Sequence, residues 1–358
     1  MSRLKTPLTE LVGIDHPVVQ TGMGWVAGAR LVSATANAGG LGILASATMT
    51  IDELATAIAK VKSATDKPFG VNIRADASDA GDRVDLMIRE GVKVASFALA
   101  PKAELIAKLK ESGAVVIPSV GAAKHAKKVA SWGADAVIVQ GGEGGGHTGP
   151  VATTLLLPSV LDAVAGTGVQ VIAAGGFFDG RGLAAALSYG ATGVAMGTRF
   201  LLTSDSTVPD AVKQRYLAAD LSGTVVSTRV DGMPHRVLRT ELVEKLESGS
   251  RARGFSAAIR NAAKFKKMSQ MSWPTMVRDG LAMRHGKELT WSQVLMAANT
   301  PMLLKAGLVE GNTEAGVLAS GQVAGILDSL PSCAELIEGI VADAVEHLRA
   351  ASTLIDSP

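Results

Sequence analysis

Two stretches, Val169-Gln-Val-Ile-Ala-Ala-Gly-Gly176 and Gly193-Val-Ala-Met-Gly-Thr-Arg-Phe200, decide how the chain folds. Each opens as a short apolar run without polar alternation and then reaches glycine. A strand that is apolar on both faces belongs to a parallel sheet covered by helices. The glycines then fall at the carboxyl ends of the strands, the face on which parallel α/β sheets bind ligands. Bare amides at Gly175, Gly176 and Gly197, the Thr198 hydroxyl and a nearby helix start make a donor set suited to a phosphate. Tight turns alone would explain one such end, but two on neighbouring strands favour phosphate binding, and that signal with the regular spacing of the runs favours a closed barrel over an open doubly wound sheet.

Outward from these stretches, six earlier runs have the same character: Val18–Gly22, Gly42–Ser46, Phe69–Arg74, Val94–Ala100, Val115–Val120 and Ala136–Gln140. With runs over Val169–Gly175 and Gly193–Phe200 they make eight. Segments of helical spacing, such as Ile51–Ser63, Ala103–Ser112 and Lys124–Trp132, lie between them. The pattern predicts an α/β fold, a (βα)8 TIM barrel built from residues 1–202 and 313–358. Residues 203–312 break the rhythm and read as a helical insertion or lid, facing the substrate and placed before the last barrel helix. Within Arg251–Lys287, nine Lys or Arg residues accompany one acidic residue, Asp279. A solvated helix face and a patch for an anionic ligand such as a coenzyme A nucleotide both fit that excess.

Composition narrows the classes further. Apolar residues make up 47% of the 358 residues and charged residues 19%, which suits a packed globular protein. A net charge of +2 is too small for nucleic-acid binding by the whole chain. Cys333 is the only cysteine, so no internal disulfide can form, consistent with a reducing, cytoplasmic setting. No leader-like apolar segment follows the first residues, and no uncharged apolar run approaches the ~18 residues of a membrane span.

The richest loop is Gln140-Gly-Gly-Glu-Gly-Gly-Gly-His-Thr-Gly149, which leaves the sixth run. Such a glycine density needs something to lie against it. A planar cofactor ring fits, touched by Gln140 and by the backbone of Gly144, Gly145 and Gly146, with His147 at its edge as the proton-transfer group. His16, His125, His235, His285 and His347 lack that setting, and no pair has metal-ligand spacing. Gly22-Met-Gly-Trp-Val-Ala27 superficially meets the dinucleotide pattern, but the acidic residue needed about 20 positions on is missing. Flavin contact through Gly22, Met23 and Gly24, with Trp25 beside the substrate or in ordinary packing, suits the segment better. Asn72 ends an apolar strand and needs a polar partner, which a flavin edge would supply.

These motifs together resemble the nitronate monooxygenase (2-nitropropane dioxygenase-like) and enoyl-acyl-carrier-protein reductase II superfamily. The carrying residues are Pro17–Val26, Gly70-Val-Asn72, Gly142–His147, Ala173–Gly176, Gly197–Phe200 and Ala319–Gly325. The resemblance implies FMN, with Gly22, Met23 and Asn72 on its ring system, Gly175, Gly176, Gly197 and Thr198 on its phosphate, and His147 at its reactive face. Thr21-Gly22 stands where the nitronate enzymes commonly carry a proline before the methionine, which is closer to the reductase branch. The segment Met233-Pro-His-Arg-Val-Leu-Arg239, with Trp273, Arg284 and His285, is similar to an actinobacterial branch implicated in steroid-ring breakdown. That likeness implies a hydrindane-type acyl-CoA substrate, a nicotinamide partner (NAD(P)H) and substrate roles for Arg251, Arg284 and His285. Nitronate oxidation and a non-catalytic phosphate-ligand sensor are the competing expectations, and a homodimer is compatible with the sequence.

Overall fold

The computed structural model describes residues 4–248 and 300–355. Eight parallel strands close into a barrel in sequence order: Val18–Gln20, Leu41–Ala45, Gly70–Arg74, Val94–Ala98, Val115–Val120, Ala136–Gln140, Gln170–Ala174 and Gly193–Met196. The first strand closes on the eighth with Val18 beside Val194 and Gln20 beside Met196. All eight expected runs are strands, but several end earlier than their apolar text. The fourth stops at Ala98 before Leu99, whose φ is +72°, and the eighth stops at Met196 because Thr198–Leu201 is already helical.

Side chains fill the barrel rather than leaving a pore. Val19, Ile43, Val94, Ile117, Ile138 and Ile172 point inward and pack together. Leu8 and Val12, from the short helix Pro7–Val12, close the amino-terminal end beneath them. Fully burying each such aliphatic chain stabilises the fold by about 1.5–3 kcal/mol. Outside the barrel run the helices Ala29–Asn37, Ile51–Ala64, Ala80–Arg89, Ala103–Glu111, Ala123–Ser131, Thr153–Val164 and Gly180–Tyr189. Ile51–Ala64 starts where Thr50 and Glu53 exchange the reciprocal hydrogen bonds of a capping box. The final helix, Cys333–Ser352, starts in the same way at Ser332 and Glu335 and covers the gap between the first and seventh helices of that ring. It packs tightly at Gly180, where a Cβ would lie 2.4 Å from the Ala344 nitrogen.

The segment after the eighth strand is not wholly helical. The helices Asp210–Leu217 and Glu241–Ser248 flank an antiparallel hairpin of Thr224–Ser227 and His235–Leu238. The second hairpin strand also pairs with Gly146–His147, so the barrel loop and the insertion share one three-stranded sheet. Val317 packs with this unit, buried beside Val230, Val237 and Val243, whereas Leu318, Val323, Ala324 and Leu327 join the core between barrel and helices. Among the described residues no helix is long and apolar enough to cross a membrane.

Candidate active site

The carboxyl ends of strands one, three and eight bring the first group of expected contacts together. Thr21 leaves the first strand with its N–H on the Met196 carbonyl, 3.1 Å away. The next residue has to be glycine, because a Cβ at Gly22 would stand 2.4 Å from the Asn72 Cβ. A Cβ at Gly197 would stand 3.2 Å from the Thr21 hydroxyl and 3.4 Å from the Met23 sulfur. Gly24 lies against the loop after strand two, with Thr48 3.2 Å from the position of its missing Cβ. Asn72 is half-buried, and its amide donates to the Ser96 hydroxyl at 3.2 Å, so it already has the protein partner that the sequence left open.

The glycines after strand seven take up the backbone freedom that the sequence suggests. Gly175 and Gly176 both adopt left-handed backbone, with φ of +91° and +86°. The Thr198 hydroxyl accepts the Gly321 N–H at 2.9 Å, which leaves its own proton to donate. Nearby in the fold, at the end of strand one, Gln20 is completely buried; its amide donates to the carbonyls of Ile43 and Thr21, and its side-chain oxygen has no partner. Bare left-handed backbone, a free hydroxyl proton and an orphaned acceptor fit a ligand that carries both a phosphate and a hydrogen-bonding ring.

The glycine loop after strand six is ordered by protein contacts. Gly142 accepts Arg236 Nε and Nη2 at 3.2 and 2.8 Å, and the Glu143 carbonyl accepts the Gln322 N–H at 3.0 Å. The Glu143 carboxylate turns away to the start of the helix Thr153–Val164, where the Thr153 hydroxyl donates to it at 2.7 Å. A Cβ at Gly144 would meet the Gln140 amide at 2.6 Å, and one at Gly145 would meet the Gly321 nitrogen at 2.5 Å. Contacts from the hairpin and residues 320–322 therefore help to order the loop. Gln140 contributes from below, donating its side-chain amide to the His147 carbonyl at 2.9 Å.

His147 is held in turn. Its Nε2 lies 2.6 Å from Asp231 Oδ2, and His235 Nδ1 lies 3.1 Å from the same oxygen. The other carboxylate oxygen accepts the Met233 N–H at 3.1 Å. The two imidazole rings sit with centroids 4.7 Å apart. Asp231 and His235 are each 3% exposed, whereas the His147 side chain is 62% exposed and open to a ligand. Burial alone would raise the Asp231 carboxyl, but the hydrogen bonds and charges of the two histidines outweigh it and hold the group well below the usual carboxylate range. The two imidazole nitrogens and the carboxylate oxygen lie within 4.8 Å of one another, a grouping hidden in the sequence spacing, and the 2.6 and 3.1 Å separations are those of N–H···O bonds.

Asp231 carries no signal of its role in the sequence, and His235, which reads there as a histidine without a setting, is brought beside His147 by the fold. What the sequence does show there is a turn, Asp231-Gly-Met-Pro234, a cluster of turn residues immediately before a short strand. Trp25 occupies a strained backbone, φ +66°, and donates its indole N–H to the Pro301 carbonyl at 3.0 Å, with Lys305 Nζ 5.6 Å from its ring. Arg251, Arg284 and His285 lie outside the described residues.

The closed barrel, with a carboxylate-held histidine at its mouth, and the family match together define an oxidoreductase of the FMN type. The chain belongs to the nitronate monooxygenase family, whose model matches residues 5–343. It is 86% identical over 354 residues to (3aS,4S,5R,7aS)-5-hydroxy-7a-methyl-1-oxo-octahydro-1H-indene-4-carboxyl-CoA dehydrogenase of Mycobacterium tuberculosis, covering 99% of this chain and 100% of that one. The protein of the same name from Rhodococcus jostii is 73% identical, covering 99% of each chain. Among solved structures, FabK from Thermotoga maritima superposes with a TM-score of 0.79 at 36% identity, covering 98% of this chain and 100% of that one.

Proposed function

We propose that this chain is an FMN-dependent dehydrogenase of a bicyclic, hydrindane-type acyl-CoA thioester, with a nicotinamide nucleotide as its electron partner. The observation that carries the proposal is His147, exposed at the barrel mouth yet tied to a buried carboxylate. The high identity to dehydrogenases named for such a thioester supports the substrate class. Gly175, Gly176, Gly197 and Thr198 would hold the FMN phosphate, and Gly22, Met23, Gly24, Asn72, Gln140 and Gly144–Gly146 would flank its ring. When bound, FMN supplies the acceptor for a hydride and its electron pair. The protein's part is to orient the thioester and to move the proton. A C–H beside a thioester carbonyl is acidified, and His147 would take that proton while the neighbouring carbon gives up hydride to the flavin. Trp25 would border the ring system of the substrate, and the basic stretch with Arg251, Arg284 and His285 would meet the phosphates of coenzyme A.

Anaerobic mixing of the flavin-loaded protein with the hydrindane acyl-CoA, followed through flavin absorbance, tests this reading. Bleaching of the oxidised flavin band is expected, and His147→Ala should keep FMN while slowing bleaching by about 10²-fold or more. The family match favours one second reading, oxidation of alkyl nitronates. No bleaching by the thioester, together with rapid oxygen uptake on propionate 3-nitronate, would establish that reading and overturn the first.

A further inference from the structure

We infer that Asp231 and His235, carried by the inserted hairpin, are positioning residues that fix the tautomer and ring orientation of His147. This rests on the role proposed above for His147 and assigns which of its nitrogens does the work. An ionised carboxylate only accepts hydrogen bonds, so the 2.6 Å contact from Asp231 Oδ2 requires the proton of the neutral His147 imidazole to sit on Nε2. Nδ1 then carries the lone pair, and it is the nitrogen available to take a proton from a ligand. Once it does, the imidazolium keeps Nε2–H on the carboxylate, so the new charge faces an opposite charge at hydrogen-bond distance.

His235 makes this arrangement rigid. Its Nδ1–H donates to the same Asp231 oxygen at 3.1 Å, and the Met233 N–H takes the other oxygen, so the carboxylate cannot turn away. The His235 ring, tilted 46° to that of His147 at a centroid distance of 4.7 Å, packs against one side of it. The backbone sets the pair as well, because His235 is the register partner of His147 in the three-stranded sheet. Barrel and insertion therefore each supply half of the unit, and the histidine is oriented only where the hairpin is docked.

The test is 15N NMR of histidine-labelled holoprotein, combined with steady-state kinetics on the thioester, for wild type, Asp231→Asn, Asp231→Glu and His235→Phe. In the wild type the His147 shifts should report Nε2–H and an unprotonated Nδ1. Asparagine can turn its NH2 toward Nε2, so Asp231→Asn should shift the population to the Nδ1–H form and lower kcat by about 10²-fold or more with KM changed little. Asp231→Glu should restore the Nε2–H signature and part of kcat. His235→Phe keeps the ring but removes the donor, and should broaden the His147 signals and lower kcat less than Asp231→Asn. Wild-type tautomer and kcat in Asp231→Asn, beside a slow His147→Ala, would overturn this inference alone. A His147→Ala variant of undiminished turnover would overturn the proton-transfer reading beneath it.

Discussion

Gly145 and Gly146 are adjacent glycines with different physical reasons to lack a side chain. A Cβ on Gly145 would stand 2.5 Å from the Gly321 nitrogen and 2.6 Å from the Ser320 carbonyl carbon, both backbone atoms that cannot rotate aside. A Cβ on Gly146 would meet nothing within 4 Å, but the residue sits at φ +72°. Gly146→Ala should therefore cost only left-handed strain, about 1–2 kcal/mol, and leave bound FMN in place. Gly145→Ala has to displace the backbone of residues 320–322, an overpacking cost of about 1–3 kcal/mol, and through Gly321 it disturbs Thr198. Thermal unfolding together with the FMN-to-protein ratio separates the two: loss of flavin is expected in Gly145→Ala only. Equal flavin retention would remove the packing explanation for Gly145. Glycine density marked this loop in the sequence, but density alone does not say whether bare backbone faces a ligand or another loop. That distinction depends on Gly321, which is 176 positions away in the chain.

At the scale of elements, parallel strands were legible because burial on both faces writes a continuous apolar run, and all eight barrel strands lie within the expected segments except for a one-residue difference at Leu41. The hairpin was not legible. Its strands are four residues each, one side faces the barrel loop, and their pairing with Gly146–His147 spans more than 80 positions. Without that pairing, Asp231 reads as a turn residue and His235 as an isolated histidine. Arg236 is the side chain that latches the two elements, through two donors on the Gly142 carbonyl and a third, Nη1, on the Thr224 hydroxyl at 3.1 Å. Burial lowers the guanidinium below its ordinary value, an effect opposed by the charge of Glu143. Arg236→Met should remove hydrogen bonds from a charged donor worth about 1.5–3 kcal/mol, and Arg236→Lys should not replace them, because an ammonium lacks the planar fork. The expected result is faster amide exchange over residues 142–148 and a lower kcat, with FMN still bound. Unchanged exchange in that loop would show that strand pairing alone holds it.

For the molecule as a whole, barrel closure and insertion meet at the start of the last helix, and Cys333 reports on that junction. Its thiol is fully buried, with the Thr35 hydroxyl of the first outer helix 3.7 Å from the sulfur, while its backbone N–H donates to Asp205 Oδ2 at 2.8 Å. Burial pushes the thiol from its ordinary value of 9.0 up to about 12, with the nearby Asp205 charge adding to the effect. A group whose folded value is raised contributes full stability below its unfolded value and loses it as pH climbs toward the folded one. This cysteine should therefore lower stability progressively between about pH 9 and 12, and Cys333→Ser should flatten that part of the curve. The same burial makes the thiol a gauge of opening, since only a thiolate reached by solvent reacts. Labelling with a disulfide reagent at pH 8 should be negligible in the native protein and should rise with urea along the global unfolding transition. Rapid labelling at low urea, before the barrel unfolds, would mean that the helix Cys333–Ser352 opens separately, and that the final βα unit is not part of the cooperative core.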